Sequence, residues 1–67
     1  MEPSELTNIG SKIRKVRRSK GLSQSELSKN LGISASYLNL LESGRRTITV
    51  PLLIKTGNEL GMSLKDL

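Results

Sequence analysis

The chain has 67 residues, enough for one small domain with a single aliphatic core, and a formal net charge of +5. It contains no cysteine and no histidine, which removes disulfide bonds, the usual zinc ligands and the common nucleophile–base pairs of enzymes. No apolar run approaches a membrane span, and residues 1–10 lack the basic and hydrophobic regions of a signal peptide, so a cytoplasmic protein without metal or cofactor is expected.

In chain order, residues 1–7 are polar, contain Pro3 and show no period, so they are read as a mobile arm ahead of one domain over 8–67. A first helix is expected from residue 7 or 8 to about 19, with Ile9, Ile13 and Val16 on its buried face and Gly21 as its stop. Lys12, Arg14, Lys15, Arg18 and Lys20 fall around the rest. Ser23 followed by Glu26 has the spacing of a capping box, so a second helix starts near Gln24, presents Leu27 and Leu31 as one stripe and ends at Gly32. Ser34 caps a third helix, in which Tyr37, Leu38 and Leu41 share a side until Gly44 stops it. The run Thr47-Ile48-Thr49-Val50 is β-branched, but it is short and leads into Pro51, which suits a first helical turn. A fourth helix therefore covers 51–60, Met62 closes the core, and Ser63 caps a last turn over 64–67. The sum is an all-α domain of five helices without a strand. Its expected core is Ile13, Val16, Leu22, Leu27, Leu31, Ile33, Leu38, Leu41, Leu53, Ile54, Leu60, Met62 and Leu64.

Residues 22–46 carry most of the functional information. Two short helix signals hinged at one glycine and closing on Gly44-Arg45-Arg46 are the sequence form of a helix-turn-helix reader of DNA. Charge points the same way. The first 46 residues hold nine of the eleven Lys/Arg and four of the six acids, so the whole net charge of +5 lies in the part that contains the motif. Tyr37 is the only aromatic residue, too few for a platform on which unpaired bases stack.

The segment 13–60 resembles the helix-turn-helix domain of the phage repressor and Cro family, also called the XRE family. The resemblance rests on Arg17, the run Gly21-Leu22-Ser23-Gln24, Glu26-Leu27, Gly32-Ile33-Ser34 and Leu41-Glu42-Ser43-Gly44, in that order and spacing. It implies a compact, lambda-repressor-like fold with the third helix, 34–43, as the recognition helix. Ser34, Ala35, Ser36 and Asn39 would then face base edges, with Leu40 at the margin. That face is short and weakly polar, so direct discrimination would be modest and DNA shape would contribute. The resemblance also implies that Gln24 bonds a phosphate and helps orient the recognition helix, although a first-turn glutamine can equally be a solvated residue. Tyr37 either packs or reaches a phosphate. Ser43, Gly44, Arg45, Arg46 and Thr47 form a loop whose N–H groups and side chains would clamp phosphates, while a simply solvated basic loop is the alternative. Arg17 and Glu42 stand where the family has a partly buried ion pair, a structural role. Thr56 and Gly57 depart from the family pattern, which more often has an aliphatic residue and an alanine.

Function follows as an expectation. The chain would bind a near-palindromic duplex as a homodimer and regulate transcription as a repressor or controller, the restriction-modification controllers being one variant. The alternative from another class is an antitoxin-like or adaptor module whose main partner is a protein. Neither reading involves catalysis.

Overall fold

The computed structural model describes the backbone of residues 4–62 and the side chains of residues 9–62. The described residues form four helices and no strand: α1 (Ser4–Ser19), α2 (Gln24–Leu31), α3 (Ala35–Glu42) and α4 (Val50–Leu60). The fifth helix expected over 64–67, with Ser63 as its cap and Leu64 in the core, lies outside the described residues, as do residues 1–3 of the expected arm.

Polar caps set the helix limits. The Ser23 hydroxyl accepts from the Glu26 N–H at 3.0 Å, and the Glu26 carboxylate accepts from the Ser23 N–H at 2.8 Å. That second bond holds the Glu26 carboxyl below the usual carboxylate range. Ser34 caps α3 by accepting from the Tyr37 N–H, and Thr49 caps α4 by accepting from the Leu52 N–H. The turn after α2 runs through Gly32 at φ 74°, a left-handed conformation that glycine reaches without a Cβ penalty. Two helix starts differ from expectation: α4 begins at Val50, one residue before Pro51, and α1 starts at Ser4, three residues before residue 7. Glu5 and Leu6 are good helix formers, and the stretch 4–7 holds no residue that breaks a helix, so polarity alone was a poor guide there.

Ile13, Leu27, Leu31, Leu38 and Leu60 form the buried core, with Ile9, Val16, Leu22, Ile33, Ile48, Leu52, Leu53 and Met62 packed against it. Leu41 is buried as well. Helix α1 packs on α3, and α2 packs on both α3 and α4. Ile54, expected in the core, is instead 46% exposed. The register of α4 explains this: Thr56, Gly57 and Leu60 are its buried residues, and Ile54 lies on the other side, one turn from the 67% exposed Val50. Thr56 is tolerated in the core because its hydroxyl donates to the Leu52 carbonyl at 2.7 Å. Gly57 has a packing reason. A Cβ there would stand 3.2 Å from the Met62 carbonyl oxygen, and the Met62 N–H returns to the Gly57 carbonyl at 2.8 Å.

Gly10 sets the approach of α1 to α3. It is buried, and a Cβ at this position would overlap the Leu41 carbonyl oxygen and crowd Glu42. This close crossing brings Arg14 and Arg17 of α1 to the end of α3.

Candidate nucleic-acid interface

The interface is built around one carboxylate. Glu42, in the last turn of α3, is 3% exposed and Arg17 5%. Arg17 donates from Nε to Glu42 Oε2 at 2.7 Å and from Nη2 to Oε1 at 3.0 Å, a two-pronged pair. Its Nη1 donates to the Leu22 carbonyl at 2.8 Å, so the same guanidinium ties α1, the α1–α2 turn and α3. Arg14 adds a longer bond to Glu42 Oε1 at 3.4 Å. Burial by itself would raise the Glu42 carboxyl, but hydrogen bonds from Arg17, Gln24 and Arg14, with the Arg17 charge, outweigh it and hold the group below its ordinary range. Glu42 is therefore ionised at neutral pH. No buried side-chain nitrogen or oxygen among the described residues lacks a partner.

Gln24 extends this cluster toward the surface. Its Nε2 donates to Glu42 Oε1 at 2.9 Å and its Oε1 accepts from Asn39 Nδ2 at 3.5 Å. Gln24 is thus a bridge between α2 and α3, and its amide has partners within the chain on both sides. The bond to Glu42 was not legible beforehand, because it depends on two side chains 18 positions apart meeting across elements. Arg14 was read only as one of the basic residues around α1. Its spacing of three from Arg17, which puts both on one helix face, is the signal that could have found it.

The exposed start of α3 carries the expected base-reading residues. Gln24, Ala35, Ser36, Asn39 and Leu40 line an open cleft of about 420 Å³. Ser36 and Asn39 are exposed; Ala35 and Leu40 are half-buried. Ser34 is exposed beside the cleft rather than in it, and its hydroxyl oxygen serves the helix cap. Tyr37 is half-buried.

The backbone N–H groups of Ser43, Gly44, Arg45 and Arg46 turn back to carbonyls of Asn39, Leu41 and Leu40, closing the end of the helix. These donors are engaged by the unpaired carbonyls that every helix C-terminus leaves. Ser43 likewise directs its hydroxyl to the Leu40 carbonyl at 3.2 Å. The side chains of Arg45, Arg46 and Thr47 remain exposed, at the opposite end of α3 from Ser34. A helix C-terminus repels anions, so only the arginine charges make this end attractive to phosphate.

Comparison with known proteins agrees with this architecture. The helix-turn-helix family model matches residues 13–67. The chain is 42% identical over 59 residues to the uncharacterized HTH-type transcriptional regulator y4dJ of Sinorhizobium fredii, covering 88% of this chain and 77% of that protein. It is 47% identical over 48 residues to the HTH-type transcriptional regulator PrpR of Mycobacterium tuberculosis, covering 72% of this chain but only 10% of PrpR. The solved structure of the restriction-modification controller protein C.AhdI from Aeromonas hydrophila matches with a TM-score of 0.86 at 28% identity, over 96% of this chain and 93% of that one. No helix among the described residues is long and apolar enough to cross a membrane. Fold and sequence agree: the chain belongs to the XRE-type helix-turn-helix family of DNA-binding transcriptional regulators.

Proposed function

We propose that this domain regulates transcription, not catalysis, by reading a near-palindromic DNA duplex as a two-fold dimer with α3 in the major groove. The observation that carries the reading is the layout of α3. Ala35 and Ser36 sit at its start and Asn39 one turn further on, around an open cleft, while Arg45, Arg46 and Thr47 are exposed just past its end. A helix of eight residues is about 12 Å long, comparable with the major-groove width, so one end can face base edges while the other meets a phosphate rail. Gln24 takes an orienting role, with any phosphate contact left to its second amide hydrogen.

Val50 and Ile54 support the dimer. Among the described residues they are the large hydrophobic side chains left exposed, they lie one turn apart on α4, and a second copy of the same face would cover both. A near-palindrome requires that two-fold pairing set the two α3 helices about one duplex turn apart.

The footprint is tested by salt dependence. Replacing Arg46 by Ala should weaken binding to all duplexes alike and lower the slope of log affinity against log salt by about one unit. An unchanged slope would remove Arg46 from the footprint.

A further inference from the structure

We infer that Glu42 and Gln24 fix the direction in which Asn39 offers its amide to a base, and so make this protein select adenine opposite Asn39. The inference rests on the proposed reading of DNA by α3 and adds the chemistry that sets its specificity.

An amide has a donor side and an acceptor side of nearly the same shape, so an isolated asparagine on a surface can turn either side outward. Here the choice is transmitted from the buried ion pair. An ionised carboxylate only accepts hydrogen bonds, and Glu42 is kept ionised by Arg17. The amide that meets it must present nitrogen, as Gln24 does with Nε2 at 2.9 Å. The Gln24 oxygen is then turned away from Glu42 and meets Asn39, which must in turn present its own nitrogen, at 3.5 Å. Reversing Asn39 would set two oxygens against each other; reversing both amides would set the Gln24 oxygen against the carboxylate. The polarity therefore runs in one sense from Arg17 through Glu42 and Gln24 to Asn39.

What Asn39 can still offer to the groove is its Oδ1 and the second hydrogen on Nδ2. In the major groove adenine presents an N6 donor beside an N7 acceptor, the complement of that pair. Guanine presents two acceptors, thymine presents an acceptor, and cytosine presents a donor without the neighbouring acceptor. The half-buried Ala35 and Leu40 in the same cleft supply apolar wall for the thymine methyl group of an A·T pair. Gln24 and Glu42 are positioning residues in this scheme, and neither needs to touch a base.

The test starts from a duplex selected by the parent protein out of a random library. The base pair whose preference disappears in Asn39→Ala identifies the position that Asn39 reads. The parent should prefer adenine there over guanine by about tenfold or more, the discrimination of one good two-pronged contact. Gln24→Leu should lower that ratio by about tenfold, more than it lowers the preference at any other position, with the helical content of the free protein as in the parent. Glu42→Gln, which can both donate and accept, should lower the same ratio. In the parent itself, the side-chain amide protons of Gln24 should exchange with solvent more slowly than those of the exposed Asn30. A guanine at the Asn39-dependent position, an adenine-to-guanine ratio that survives Gln24→Leu, or equal amide exchange at Gln24 and Asn30 would each overturn the inference. These results leave DNA reading by α3 standing, whereas a parent with no preferred duplex removes that reading as well.

Discussion

Arg17 and Glu42 are 25 positions apart, yet their contact governs the geometry of the whole reading head. Removing one member strands the other charge in a desolvated site, at a cost of roughly 3–5 kcal/mol, comparable with the total stability of so small a domain. Arg17→Ala and Glu42→Ala should therefore each lower the unfolding midpoint strongly, while the double replacement costs less than the sum, because no unpaired charge is left. Chemical denaturation of the four forms checks this, and strict additivity would mean that the pair is not coupled. Both residues were legible in the sequence, but only because their positions match a family pattern; no local periodicity announces a partner so distant. Gln24 was singled out in the sequence as a candidate phosphate contact. Its place between Glu42 and Asn39 was not legible, since that follows from side-chain reach across two helices.

Caps carried most of the information at the scale of the helix. Ser23 with Glu26, and Ser34, are short-range signals whose geometry is settled by neighbouring residues, and α2 and α3 begin where these place them, whereas α4, capped by Thr49, begins at Val50, one residue ahead of the expected Pro51. Packing between helices was harder to foresee. Leu52, Leu53 and Ile54 form an apolar triplet compatible with more than one register, and the register was decided by Thr56 and Gly57, which do not look like core residues. Gly10 was overlooked for a related reason: a glycine inside a helix weakens it by local propensity, and its value is seen only when α3 is laid against α1. Gly10→Ala should thus destabilise the domain, by about 1–3 kcal/mol despite the gain in helix propensity, because backbone rather than a flexible side chain would have to move. A thermal midpoint equal to or above the parent's would show that α1 and α3 can separate without loss.

The arrangement of charge and apolar surface extends the account to the whole molecule. The basic residues are concentrated on α1 and just past the end of α3, and Arg17, the most buried of them, is neutralised by Glu42. The exposed Val50 and Ile54 belong to α4, which carries none of the proposed DNA contacts. If that face joins two copies, Ile54→Lys should raise the dimer dissociation constant by about tenfold or more, since two such side chains leave water per dimer. Sedimentation of the parent and variant over a range of concentrations measures this, and identical profiles would move the interface elsewhere. A weakened dimer should also lose affinity for a two-site duplex while the isolated fold remains intact.

The central claim is that the start of α3 reads bases. It is tested most directly by comparing duplexes selected from a random library, at fixed salt, by the parent, Ser36→Ala and Asn39→Ala. The parent should select a near-palindrome. Each replacement should alter the preference at one or two base positions per half-site, by about 1–3 kcal/mol, with binding to unrelated duplexes nearly unchanged. Profiles of both variants that coincide with the parent's would contradict the claim, and a parent without any preferred duplex would contradict it more fundamentally.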